Sequence, residues 1–199
     1  MADLALVCGG SGALGSAIVE ALRARGDEVV AADREAVDLT DPAAVEAYWD
    51  GLPATPRWVV NAAGGFRTGT VAESEPDDVR FLSDLNLGTA WWTCRAAARR
   101  LGEGGAIVNV SARSALQGGE GSAAYAVAKA GVVRLTQVLA RELAGRHVRV
   151  NAIVPALIDT PANRAQGLTG GTPPAEVAAV VAYLLSDAAS AVTGAVVPV

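Results

Sequence analysis

Apolar positions along the chain fall into two alternating kinds of stretch. Short, nearly unbroken apolar runs occupy residues 4–8, 28–33, 57–61, 106–111, 148–154 and 195–197. A run of strand length that is apolar at successive positions, not at every second one, marks a strand buried on both faces. Between them lie longer alanine-rich stretches with helical spacing. Two of these end near Arg25 and Leu52, and others span 76–100, 122–144 and 173–186. Glycine and proline punctuate the joins: Pro76 opens one helix, glycines at 102–105 close it, and a glycine-rich loop at 117–121 precedes the next. Strands alternating with helices predict an α/β fold of the Rossmann type. The sheet is doubly wound and mostly parallel, with six to seven strands, helices on both faces and right-handed crossovers. With no internal repeat and no linker, residues 1–199 read as one domain.

One interval breaks this rhythm. Only a few residues separate Asp33 from Val37, whereas a parallel crossover needs a dozen or more. The usual helix between the second and third strands is therefore missing. The stretch 37–39 is either a short extended piece at the sheet edge or no strand at all.

Composition narrows the possibilities. Hydrophobic residues make up 51% of the chain and charged ones 19%, which suits a folded, buried sheet and excludes disorder. The net charge of −5 and the lack of any basic run argue against nucleic acid and against anionic membrane surfaces. Cys8 and Cys94 lie in apolar surroundings and read as reduced, packed thiols. The only histidine, His147, cannot form a cluster, so no metal site is expected. The first residues lack a basic segment, Asp3 interrupts their apolar run, and no apolar run approaches the roughly 20 residues needed to cross a bilayer. The expectation is a cytoplasmic protein acting on a small molecule.

The first candidate chemistry lies after the first strand, where Gly9, Gly10, Ser11, Gly12, Ala13, Leu14 and Gly15 lead into a helix. Strand, glycine loop, helix, strand is the unit in which helix-terminal amides hold a pyrophosphate. Asp33 follows Gly15 at the distance where a carboxylate binds ribose hydroxyls. Such a carboxylate repels a 2′-phosphate, whereas Arg34 beside it can pair with one. NAD(H) is favoured over NADP(H).

The second candidate lies in the helix at 122–144, with Ser122 at its N-cap. Tyr125 and Lys129 stand one turn apart on one face of it. A free phenol has a pKa of roughly 10, too high for a base at neutral pH. An ammonium about 4 Å away, at an effective dielectric of about 20, favours the phenolate by up to about 4 kcal/mol. Desolvation takes some of this back. The pair suits proton transfer near neutrality.

Ligands of such sheets bind beyond the carboxyl ends of the strands. There the chain places the glycine loop, Asp33, Asp38, Asn61, Ala62, Ala63, Gly64, Ser111, the Tyr125 helix and the stretch 155–160. With Asp38-Leu39-Thr40, Asn86, Val108-Asn-Val-Ser111, Tyr125-Ala-Val-Ala-Lys129 and Asn151-Ala-Ile-Val-Pro155, the chain resembles the short-chain dehydrogenases/reductases from end to end. The resemblance implies hydride transfer between a nicotinamide and a carbonyl or alcohol carbon. It implies Tyr125 as proton donor and acceptor, Lys129 on the nicotinamide ribose, Ser111 on the substrate oxygen, and Asn86 holding a water near Lys129. These four are the catalytic set. The cofactor set is the glycine loop, Asp33, Arg34, Asp38, Leu39, Asn61, Ala62, Ala63, Gly64, Tyr125, Lys129, Pro155, Ala156, Ile158 and Thr160.

Segments 9–16, 63–65, 112–116 and 155–164 are most similar to the dihydropteridine reductases of that family, which reduce a quinonoid pterin with NADH and do without the serine. Ser111 and Asn86 make ordinary carbonyl reduction the first expectation and pterin reduction the alternative. A non-catalytic nucleotide sensor is a third reading, although members of that kind lack the tyrosine or the lysine. Ala13 and Ala156 replace glycines common in the family. The short stretch 160–172 implies either an open site or a small substrate held by Phe66, Ala115 and Leu157. The apolar helices 76–100 and 122–144, with Trp91 and Trp92 adjacent so that one points away from the other, suggest a homodimer or homotetramer.

Overall fold

The structure is a computed structural model and describes residues 2–118 and 120–199. Gly119, within the glycine-rich loop expected at 117–121, lies outside the described residues. Six strands form one parallel sheet: β1 (Leu4–Cys8), β2 (Glu28–Ala32), β3 (Trp58–Asn61), β4 (Ala106–Val110), β5 (Arg149–Val154) and β6 (Val196–Pro198). Their order is β2-β1-β3-β4-β5-β6, and every neighbouring pair is parallel. The chain leaves β1 in one direction and then returns to pair β3 on its other side. That reversal opens a crevice at the carboxyl ends of β1 and β3.

The strands alternate their side chains between two cores, as a sheet buried on both faces requires. Leu6, Cys8, Val59, Ile107 and Val150 face helices α2 (Pro42–Asp50), α4 (Thr89–Arg100) and α6 (Ala123–Glu142). Ala5, Val7, Val60, Val108 and Ile153 face α1 (Ala13–Arg25) and α8 (Pro174–Leu185). Ile18 and Leu22 on α1 are 0% exposed, and burial of each stabilises the fold by roughly 1.5–3 kcal/mol. Helix α1 ends on Gly26 at φ 99°, the left-handed conformation that glycine adopts at no cost. Helix α2 starts where the Asp41 carboxylate accepts from the Ala43 amide at 2.8 Å, with Pro42 in the first turn.

Of the two alternatives for 37–39, the chain takes the second. Among the described residues there is no strand here, β2 is the outer strand, and Val37 and Leu39 turn inward to 7% and 8% exposure. The stretch expected as one helix over 76–100 is instead three pieces. Helix α3 (Pro76–Ser83) runs into a π-helical turn, Asp84–Gly88, before α4 begins. The cause is Asn86, whose amide donates to the Leu82 and Gly65 carbonyls, both at 3.0 Å. That side chain draws the Leu82 carbonyl away from the regular ladder, and the turn widens around it.

The other boundaries agree with the apolar pattern to within a few residues. A single-turn helix, α5 (Ser114–Gln117), precedes α6, which begins directly after Ser122. Trp91 is 48% exposed while Trp92 packs against a core, as adjacent helical positions require. The two cysteines are free and buried, and burial pushes each thiol up to about 12. Among the described residues no helix is long and apolar enough to cross a membrane, and no cluster of metal-ligating side chains occurs.

Candidate active site

The glycine loop packs so tightly that its sequence has little freedom. A Cβ on Gly15 would overlap the Gly9 carbonyl, and one on Gly10 would come 2.7 Å from the Ala31 Cβ. Gly9 itself takes φ 79°. The first turn of α1 is consequently seated against the end of β1, with Gly12 preceding it and no acidic residue within it. Amides of a first helical turn have no partners inside the helix, so they present a positive site suited to a diphosphate.

This loop forms one wall of a cleft of about 250 Å³, lined by Gly9, Ser11, Gly12, Asp33, Arg34, Asp38, Leu39, Ala62, Ala63 and Gly64 among others. The Asp33 carboxylate accepts from the Ser11 amide at 2.8 Å, which fixes it across the loop. The Asp38 carboxylate accepts from the Thr40 hydroxyl and amide at 2.7 and 2.9 Å. These two bonds hold it below the ordinary carboxylate range, with help from the nearby Arg34 charge. Val37, Thr40, Leu85 and Thr89 also line the cleft and were not foreseen. Thr40 follows directly on Asp38 and Leu39 and was within reach of the motif. Leu85 and Thr89 arrive through the π-helical turn, which no local pattern announced.

The second group lies where Gly64 leaves the cleft. A Cβ on Gly64 would come 2.7 Å from Asn86 Oδ1 and 3.2 Å from Lys129 Nζ, so both side chains converge on that backbone. Lys129 is 4% exposed, and its Nζ donates to the Val110 carbonyl at 3.0 Å. Burial lowers the ammonium to about 8. Nζ stands 5.9 Å from the centroid of the Tyr125 ring. Helical spacing alone predicts that this ammonium lowers the phenol. In the protein alone burial prevails, and the Tyr125 pKa is raised. Ser111 is 4% exposed, and its hydroxyl donates to the Lys129 carbonyl at 2.8 Å. The Asn86 amide is taken up by backbone, because Oδ1 accepts from the Gly65 amide at 3.2 Å while its nitrogen serves two carbonyls.

Other expected residues sit differently. Asn61 turns its side chain into the core, donating to Asn109 Oδ1 at 2.7 Å and Cys94 Sγ at 3.4 Å. Asn109 in turn donates to the Thr136 hydroxyl at 2.9 Å, so Asn61 ties β3 to β4 and α6 rather than lining the cleft. Ala13 and Leu14 belong to α1, and Leu14 packs against a core. Pro155 is buried, and its carbonyl accepts from the Arg113 amide at 2.9 Å. Thr160 caps the short helix α7 (Pro161–Ala165) by accepting from the Asn163 amide at 3.2 Å. The Ile158 carbonyl accepts from the Asn163 side chain at 2.8 Å, and Ile158 bridges to Thr172. The 157–172 segment is thus tied to itself, a compact loop beside the site.

A family model described as enoyl-(acyl carrier protein) reductase matches residues 17–199. The chain is 30% identical to the 3-oxoacyl-(acyl-carrier-protein) reductase of Salmonella typhimurium, over 96% of this chain and 93% of that protein. It is 31% identical to the D-threitol dehydrogenase of Mycolicibacterium smegmatis, over 96% and 89% respectively. The first alignment runs to 228 positions against 199 residues here, so segments of the relative have no counterpart in this chain. A blue fluorescent protein from a metagenomic library, solved in complex with NADPH, superimposes with a TM-score of 0.86 at 27% identity, covering 99% of this chain and 96% of that one. The chain belongs to the short-chain dehydrogenase/reductase family of oxidoreductases.

Proposed function

We propose that this oxidoreductase moves a hydride between NAD(H) and a carbonyl or alcohol carbon, with Tyr125 as the proton donor and acceptor. The observation that carries the reading is the convergence of Lys129 and Asn86 on Gly64, the residue where the nucleotide cleft meets the Tyr125 helix. The nicotinamide supplies or accepts the hydride. The glycine loop and the first turn of α1 would hold the diphosphate, Asp33 the adenosine ribose, and Lys129 the second ribose. Burial keeps the phenol protonated at neutral pH, the form that a reduced carbonyl oxygen needs from its donor.

NAD(H) is favoured because the Asp33 carboxylate, held by Ser11 at the cleft wall, would oppose a 2′-phosphate. Arg34 is exposed and lies near Asp38. Comparing KM for NADH and NADPH tests this, and a lower KM for NADPH reverses it. A dimer or tetramer through α4 and α6 belongs to the same reading. It is supported by Trp91, Val127 and Val138, which are 48%, 74% and 45% exposed on those helices, and light scattering measures it.

A second reading, reduction of a quinonoid pterin, is favoured by one contact. The Ser111 hydroxyl is committed to the Lys129 carbonyl, which leaves Tyr125 as the donor to the substrate. The deciding experiment follows nucleotide consumption with ketones, quinones and a quinonoid dihydropterin. Binding of NADH without consumption in any arm, or a Tyr125→Phe variant as active as the parent, overturns the assignment.

A further inference from the structure

We propose that Phe66 selects the substrate of this site, and that it selects flat carbonyl compounds whose C=O is conjugated to an aromatic or heteroaromatic ring. The inference rests on the oxidoreductase reading above and names its substrate class. The chain has two phenylalanines, and this one joins neither core. It is 54% exposed. Its ring meets that of Tyr125 edge to face, with centroids 5.0 Å apart and planes at 86°. A large apolar side chain left half in water does little for folding, and this one forms a wall against the ring of the proton donor.

That wall is fixed from both sides. On one side, Gly64 and Gly65 press against the π-helical turn so closely that Cβ atoms would come 2.7 Å from Asn86 Oδ1 and Leu85 Cδ2. The Gly65 amide and carbonyl are both bonded to the Asn86 side chain. On the other side, the Arg67 guanidinium lies 3.9 Å over the Phe81 ring and pairs with Asp78. Two residues on, Gly69 donates to the Gly121 carbonyl at 2.9 Å and accepts from the Ala123 amide at 3.2 Å. The loop carrying Phe66 is thereby latched to the start of the helix carrying Tyr125. A preset aromatic surface favours a ligand that can stack on it, because π systems attract in offset and edge-on arrangements beyond simple area burial. A puckered or branched aliphatic group gains only the area. The chemistry is unchanged: the carbonyl carbon takes the hydride, its oxygen takes the Tyr125 proton, and the product is the alcohol. Phe66 makes and breaks no bond.

Acetophenone and cyclohexyl methyl ketone carry the same carbonyl on a flat and on a puckered ring. With NADH, the wild type is expected to show the higher kcat/KM for acetophenone. Phe66→Leu should raise KM for acetophenone by roughly five- to tenfold, the size of one aromatic pair. Its kcat should stay within about twofold, and KM for the cyclohexyl ketone should not move. Phe66→Tyr should restore the parent values. Calorimetric binding of both ketones to the NADH complex of Tyr125→Phe should show the same discrimination without turnover. No preference in the wild type, or equal losses for both ketones in Phe66→Leu, overturns the role of Phe66. A wild type that binds acetophenone selectively but reduces no carbonyl overturns the assigned reaction and leaves the selection by Phe66 standing.

Discussion

The two ends of the sheet provide differently for a buried cation. At the amino ends of the strands, Arg149 is 8% exposed, and its guanidinium reaches the Leu184 and Ser186 carbonyls at 2.6 and 3.0 Å, with Val192 at 3.4 Å. Nearby, Arg57 pairs with Asp3 at 2.7 Å and Asp187 at 2.6 Å while lying 4.2 Å from the Trp58 ring. At the carboxyl ends, Lys129 is 4% exposed and has the Val110 carbonyl. Burial of an ammonium costs free energy that one neutral acceptor does not return, and the lowering of Lys129 to about 8 records that deficit. Burial lowers Arg149 too, but three carbonyls take up its donors, and the amino end serves stability. The carboxyl end is left short, as a surface does when it awaits a ligand.

The largest effect that would sharpen this contrast is expected at Tyr125. Tyr125→Phe should lower kcat by roughly 10²–10⁴ while NADH affinity, measured by fluorescence titration, stays close to the parent. Next comes the opposite end. Arg149→Met takes the guanidinium from the Leu184 carbonyl, while the Ser186 and Val192 carbonyls keep the Ala189 amide and the Asn151 side chain. A buried carbonyl left unpaired costs about 1–3 kcal/mol. Urea unfolding should report a loss of about 1–3 kcal/mol, and the folded fraction should keep its specific activity.

Lys129→Met should behave in the reverse manner. The folded pKa of about 8 lies below the ordinary lysine value of 10.5, so between these limits the unfolded chain binds more protons and stability rises with pH. Below that window the penalty of the charged group is fully present. Lys129→Met should therefore be more stable than the parent at pH 7, by up to about 3 kcal/mol. The advantage should shrink as pH passes from 8 toward 10.5, and activity should fall throughout. A variant that loses stability at pH 7 breaks the comparison. The smallest effect is expected from the thiols. With both pushed up to about 12 and buried, Cys8 and Cys94 should resist alkylation in the native protein and react only in denaturant, as mass spectrometry would record.

The site was legible unevenly. The glycine loop stood out because backbone approach forbids side chains there, and Gly15 against the Gly9 carbonyl leaves a mark in the residue type itself. Tyr125 and Lys129 stood out because helical spacing fixes their shared face. Asn61 and Asn86 did not separate. Each is an asparagine near a site, yet one ties strands together in the core and the other widens a helix. Their difference lies in which backbone carbonyl comes within reach. The sign of the Tyr125 shift lies outside the sequence for a related reason, since spacing gives the neighbour but not the depth of burial.

Local rules were enough for what the chain repeats. Unbroken apolar runs, helical spacing and glycine punctuation determined a parallel sheet between two helical layers, the cleft at its reversal, and the face shared by Tyr125 and Lys129. The tertiary structure decided what depends on groups distant in sequence. It turned Val37 and Leu39 into the core, opened the helix at Asp84–Gly88 around one amide, and set Phe66 against Tyr125 across a loop latched at Gly69. Hydrogen-bond partners and desolvation belong to the folded chain as a whole, and no stretch of sequence carries them alone.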